Sequence, residues 1–330
     1  MSKKIFITGA TGLLGSAIAN NLLEEGYELI CAKRENSDMQ ACAPFLDKVK
    51  WVTLDITALD RLKEETKGVD WVVHCAALVS FDTKDDEALD IANRVGTRNV
   101  VNVCIENKIP NLFYVSSVAA LGRAEQEQLI DEHTKWETSE LNSGYAVSKY
   151  LAENEVWRGE QEGLNVSIIN PSVILAPGDT RKSSAKLFDF TKKYKGIYPE
   201  GYLNLVDVRD VATISTRLIK ENITGERFIV NAATVSYKDF FTEMAQHFGH
   251  KTPHICFSKK RAKLAYPFFK FMAFVTFSSS FLTKQTIKLM GLKTTYDNQK
   301  LKEKLAFEYR DWRESVAWVC EVLREKQANK

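Results

Sequence analysis

Short apolar runs recur along the first half of the chain. They are Ile5-Phe6-Ile7, Leu29-Ile30-Cys31, Trp51-Val52-Thr53-Leu54, Trp71-Val72-Val73, Leu112-Phe113-Tyr114-Val115 and Val166-Ser167-Ile168-Ile169. Each is continuous rather than alternating, and rich in β-branched or aromatic residues. Strands buried on both faces of a parallel sheet have this pattern. Between the runs the period changes. Leu14, Ile18 and Leu22 recur every four residues, one face of a helix that Gly26 ends. Further helices are expected over 88–105 and 143–158. Strand alternating with helix predicts an α/β fold with a doubly wound, Rossmann-type parallel sheet.

The second half differs. Phe228-Ile229-Val230 reads as one more strand, and Ser236 to Asp239 as a capping box opening a helix toward Phe248. A last amphipathic helix is expected over 313–324. A chain of 330 residues exceeds the size at which single cores divide. The expected division is a dinucleotide-binding domain over 1–172, with 203–233 returning to it, and a smaller, mostly helical substrate lobe over 173–330. Pro267 to Leu282 carries one charge, Lys270, and is shorter than the roughly 20 apolar residues that span a bilayer. It reads as a buried helix or pocket wall. Lys259, Lys260, Arg261 and Lys263 before it leave open a membrane-surface role for 259–282.

Net charge is +2, so no strong field draws the chain to nucleic acid or an anionic membrane. Its expected partner is a small-molecule substrate. Six cysteines are scattered without metal-like spacing, which suits a reducing, cytoplasmic setting. His247, His250 and His254 are separated by Gly249 and Pro253, which interrupt any shared helical face. No metal is expected.

Candidate chemistry begins where the first strand enters Thr8-Gly9-Ala10-Thr11-Gly12-Leu13-Leu14-Gly15 and a helix follows. Glycines accept positive φ in such a turn and leave room for a phosphate, and the helix start offers N–H groups to it. Tyr145 and Lys149 lie four residues apart, on one face of an expected helix. An ammonium near a phenol favours the phenolate, drawing its pKa down toward working pH. Such a phenol can pass a proton to a carbonyl oxygen. The pair is common by chance, so its context carries the argument.

That context resembles the extended short-chain dehydrogenase/reductase family, in its dihydroflavonol 4-reductase and 3β-hydroxysteroid dehydrogenase-like branch. The resemblance covers about residues 4–235. It is carried by TGATGLLG at 8–15, HCAA at 74–77, YVSS at 114–117, YAVSK at 145–149 and VDVRDVA at 206–212. It implies a catalytic set of Ser117, Tyr145 and Lys149, with Lys149 also reaching the nicotinamide ribose. It implies cofactor contacts from Gly9, Thr11, Gly12, Leu13, Leu14, Asp55, Ile56, Ala76, Ala77, Pro171 and Val173. Asp55 also reads as a cap for the following helix, Asn93 as a structural hydrogen-bonder, and His74 as a packed strand residue.

Lys33 and Arg34 end the second strand, where a basic residue accepts the extra phosphate of NADP. NADP(H) is therefore favoured over NAD(H), although Glu35 offers a ribose ligand one residue later. Sugar-nucleotide members of the family carry an asparagine where this chain has Val173, and a glycine where it has Ala176. Asn170-Pro171-Ser172 is more similar to the reductase branch. The implied reaction is hydride transfer between nicotinamide and a carbonyl or alcohol of a small, apolar substrate. Phe257, Tyr266, Phe268, Phe269, Phe271, Phe274, Phe277 and Phe281 form either its pocket or the core of the second lobe. A nucleotide-sugar epimerase or dehydratase holding NAD tightly is the alternative, and a non-catalytic dinucleotide sensor a second. A homodimer through the two long helices is also implied.

Overall fold

The structure, a computed structural model, describes residues 3–123, 128–178, 186–193, 196–276 and 284–328. The side chains of 268–285 lie outside the described residues. So do the expectations for Phe268, Phe269, Phe271, Phe274, Phe277 and Phe281, and for the apolar part of the membrane-surface segment.

The apolar runs form strands β1 (Lys4–Thr8), β2 (Glu28–Lys33), β3 (Lys50–Thr53), β4 (Trp71–His74) and β5 (Asn111–Val115). After a short β6 (Gln128–Ile130) come β7 (Asn165–Pro171), β8 (Val173–Leu175), β9 (Ile197–Pro199) and β10 (Tyr202–Asp207). The chain continues through β11 (Glu226–Val230), β12 (Ala233–Ser236), β13 (Ile255–Phe257) and β14 (Thr294–Tyr296). The main sheet has the order β11-β7-β5-β4-β1-β2-β3, with every neighbouring pair parallel. Strand order reverses between β1 and β4, so a crevice opens at the carboxyl ends of these strands.

Alternate residues of each strand feed two cores, which is why the runs are almost wholly apolar. Ile5, Ile7, Trp71, Val73 and Phe113 meet Ile18 and Leu22 of the helix Leu13–Glu24 and Ile214 of Val208–Lys220. Phe6, Val72, Leu112 and Tyr114 face the other way, onto Val100 of Gly96–Glu106 and Val156 of Gly144–Gln161. The helix expected over 88–105 is broken by a π-helical stretch, Asp90–Val95. There Asn93 turns inward, its amide bonded to both Leu78 backbone groups and to Ser148 Oγ. The sheet's edge at β11 is blunted by side chains. Glu132 accepts from Ile229 N at 2.8 Å and Lys300 donates to Arg227 O at 3.0 Å.

The second lobe is built on a smaller sheet, β12-β10-β8, packed by Phe240, Phe241, Met244, Trp312 and Val316. Ser236 caps its helix Tyr237–His247, accepting from Asp239 N at 3.0 Å. The segment 203–233 divides its contacts between the two sheets. β10 pairs with β8 and β12, whereas Val208–Lys220 packs on the first core and β11 joins the main sheet. Asp210, buried on that helix, is bonded to Arg310 and so ties the C-terminal segment down.

Candidate active site

The glycine turn lies at the carboxyl end of β1. Gly9 adopts φ +71°, and a Cβ there would lie 2.6 Å from the Ala76 nitrogen. The strand β4 exit therefore presses directly against it. Gly15 is excluded from carrying a side chain by the Gly9 carbonyl oxygen. Gly12 donates to Gly9 O at 3.0 Å and stands at the N-cap of Leu13–Glu24 without a side-chain cap. This exposed, side-chain-free helix start fits a pyrophosphate, since it offers backbone N–H groups and no steric obstacle. Thr11 is half-buried there, Leu14 is buried, and Leu13 packs against Gly178.

Arg34 is exposed just past β2, its amide donating to Ser37 Oγ at 2.9 Å, beside half-buried Lys33. Asp55 Oδ1 accepts from the Thr57 hydroxyl at 2.7 Å and from its amide at 2.9 Å. The hydroxyl bond first, then the amide and the Arg34 charge, holds this carboxyl below its usual range. Asp55 does not cap the following helix. Leu59–Glu65 starts from Ala58, because the turn Asp55–Thr57 intervenes. Ile56 fills the space beside Gly96, and its carbonyl accepts from Asn99. Ala76 N donates to Thr8 Oγ1 at 3.3 Å, and Ala77 is exposed. Pro171 ends β7 and Val173 opens β8.

The catalytic candidates converge at the ends of β4 and β5. Ser117 ends the β5 segment, its Oγ accepting from Ala119 N at 3.2 Å. Tyr145 sits in the first turn of Gly144–Gln161, whose start Ser143 caps through Ala146 N. The Ser117 and Tyr145 side chains lie close enough for the serine hydroxyl to offset part of the effect of burial on the phenol. Phe81 packs edge-on against Tyr145 at 5.8 Å between ring centroids. Lys149, one turn on, is 1% exposed. Its amine donates to Tyr114 Oη at 2.6 Å and to Val115 O at 2.9 Å.

The sequence-based expectation that Lys149 draws the Tyr145 pKa down is not met here. Burial raises it above 10.0, opposed by the Ser117 hydroxyl, and the Lys149 amine is turned to Tyr114 instead. A shared helical face fixes where side chains start, but the long lysine side chain reaches the end of β5. Burial lowers the Lys149 pKa to about 7, against the charges of Glu153 and Cys75.

Residues 5–233 match the family model described as the NAD dependent epimerase/dehydratase family. The chain belongs to the NAD-dependent epimerase/dehydratase family. Its members are enzymes. Within the epimerase/dehydratase family it is similar to a putative dihydroflavonol 4-reductase of Synechocystis sp. Identity is 31% over 261 residues, covering 77% of this chain and 75% of that one. It is 26% identical to tetraketide alpha-pyrone reductase 2 of Arabidopsis thaliana over 300 residues, covering 80% and 92% of the two chains. The solved structure of gox2253 superposes with a TM-score of 0.83 at 27% identity, over 98% of this chain and 99% of that one. The Bordetella bronchiseptica enzyme WbmH, solved with NAD+, shares the fold at a TM-score of 0.77 and 20% identity, over 98% and 99%.

Beyond the epimerase/dehydratase motifs, this site contains residues that sequence reasoning missed. Glu153 is 2% exposed, one turn past Lys149. It accepts from Ser116 at 2.6 Å, Asn170 at 2.8 Å and Arg227 at 2.9 Å. Extending the stripe of Tyr145 and Lys149 by four more residues finds it. Asn170 also donates to Ser117 O at 3.0 Å, steadying the strand end. His74 is fully buried between Thr8 and Thr97, and burial holds its pKa down at about 3. The packed-residue reading of His74 misses both bonds. Among the described residues, no group of three or more His, Cys, Asp or Glu is placed to hold a metal, and no helix is long and apolar enough to cross a membrane.

Proposed function

We propose that this chain is an NADP(H)-dependent reductase that interconverts the carbonyl and alcohol forms of a small, apolar substrate. The observation that carries this reading is the Ser117–Tyr145 hydroxyl pair, placed beside Phe81. Phe81, 53% exposed, offers an apolar ring to substrate beside Tyr145. Relatives named for dihydroflavonol and tetraketide pyrone reduction support a carbonyl substrate.

When bound, the nicotinamide supplies the hydride that reaches the carbonyl carbon, or takes it back. Ser117 holds the substrate oxygen within reach of Tyr145. The Tyr145 hydroxyl gives its proton to that oxygen as the C=O π bond breaks, and an alcohol results. The Lys149 amine, bonded to Tyr114 and the Val115 carbonyl at the end of β5, would bear on this proton transfer through its positive charge rather than through contact with Tyr145. The turn Gly9 to Leu14 holds the pyrophosphate. Asp55 and Ile56 would take the adenosine part of the cofactor, and Ala76, Ala77, Pro171 and Val173 would take its nicotinamide part. Lys33 and Arg34 accept the 2′-phosphate.

Fluorescence titration with NADPH and NADH, then a panel of apolar ketones and aldehydes, tests the reading. The expected result is tighter NADPH binding and one NADPH oxidised per carbonyl reduced. Equal affinity for both cofactors removes the Arg34 argument. Conversion of a sugar nucleotide without net cofactor consumption removes the reductase.

A further inference from the structure

Behind the catalytic helix runs a buried chain of polar side chains that the proposed reaction does not itself require. It starts at Lys149, whose amine bonds the Tyr114 hydroxyl at 2.6 Å and lies 4.4 Å from the centre of that ring. Thr97 lies near the same hydroxyl and lowers the Tyr114 pKa against the effect of burial. Thr97 Oγ1 lies 3.0 Å from His74 Nε2, and His74 Nδ1 lies 2.6 Å from Thr8 Oγ1. Thr8 in turn accepts from the Ala76 amide at 3.3 Å. Either tautomer of a neutral imidazole satisfies both threonines. The His74 and Tyr114 rings also stack, at 5.5 Å and 28°.

Every side chain in this series is at most 1% exposed. It ends on a backbone amide, which holds its proton, so the chain conducts no proton to solvent. What it does is fix positions. Thr8 is the residue before Gly9, so the series joins the catalytic amine to the turn that receives the cofactor phosphates.

We propose that Tyr114 is a positioning residue for Lys149, holding the amine against the end of β5 through its hydroxyl, with Thr97, His74 and Thr8 anchoring it. This rests on the proposed reductase in one respect: it assumes that the Lys149 amine serves the proton transfer at Tyr145. The groups facing that amine are Glu153 from its own helix, Tyr114 and the Val115 carbonyl from β5, and His74 and Cys75 from β4 and its exit. Of these, Tyr114 Oη and Val115 O are in direct hydrogen-bond contact with it. An acceptor at 2.6 Å favours the charged amine, so removing it makes the amine easier to deprotonate.

The test is Tyr114→Phe, which keeps the ring and its packing. Protein carrying [ε-13C]lysine is titrated by NMR, with Lys149 assigned from the signal lost in Lys149→Met. The Lys149 midpoint is expected to fall by about one pH unit in Tyr114→Phe. The high-pH limb of turnover is expected to fall with it, and turnover at neutral pH by about fivefold, the fall in the charged fraction of the amine. A merely structural role lowers turnover at all pH values and leaves both midpoints in place. An unmoved NMR midpoint overturns the proposal. A shifted midpoint in a protein that reduces no carbonyl supports the hold of Tyr114 on Lys149 and counts against the reductase alone.

Discussion

Tyr145 carries the chemistry in this reading, and its environment differs from what a Tyr–Lys pair one turn apart suggests. Burial keeps its proton on, and only the Ser117 hydroxyl works the other way. A phenol in that state is suited to giving a proton, which is what carbonyl reduction asks of it. Tyr145→Phe is expected to lower turnover by at least about a hundredfold while cofactor titration stays as in the parent protein. Turnover near the parent value with a genuine substrate would remove Tyr145 from the mechanism. At this scale the motif residues Ser117, Tyr145 and Lys149 were legible in the sequence. Tyr114 was not recognised, because its contact with Lys149 joins residues 35 apart and leaves no local pattern.

The element that matters most is the helix Gly144–Gln161. Tyr145, Lys149 and Glu153 share its inward side, and Glu153 pins it. Its carboxylate takes bonds from β5 through Ser116, from β7 through Asn170 and from β11 through Arg227. A buried charge so satisfied is costly to leave half-paired. Glu153→Ala leaves Ser116 and Asn170 without their acceptor and Arg227 with only its carbonyl bonds, and is expected to cost about 1–3 kcal/mol of stability, read from denaturant melts. Glu153→Gln keeps most of the bonds and should cost less. Equal stability of Glu153→Ala and the parent would show that the helix is held by its apolar contacts alone. The periodicity of the sequence marked this helix and its inward residues, but not what Glu153 meets, since its three partners come from three strands.

For the whole molecule, buried titratable groups set how stability follows pH. His74 has a pKa of about 3 when folded, against an ordinary 6.5. Between these values the unfolded chain binds a proton that the folded chain does not, so folding weakens as pH falls from 6.5 toward 3. The steepest slope from this one group is about 1.4 kcal/mol per pH unit. Lys149, at about 7 against 10.5, has the same sign at higher pH, and stability from it grows from pH 7 upward. His74→Gln is expected to flatten the acid limb of a melting-temperature profile relative to the parent. Parallel profiles would show that His74 takes up its proton equally in the folded and unfolded chain.

Local pattern determined the seven strands of the main sheet, the glycine turn, the capped helix at Ser236 and the family motifs. Each depends on residues within about one helical turn or one strand of each other, so sequence order alone displays it. The tertiary structure decided which sheet β10 joins, where the Lys149 amine points, and which buried groups surround it. Those outcomes depend on contacts between segments tens of residues apart, where burial changes the protonation of a group and no neighbouring residue announces it.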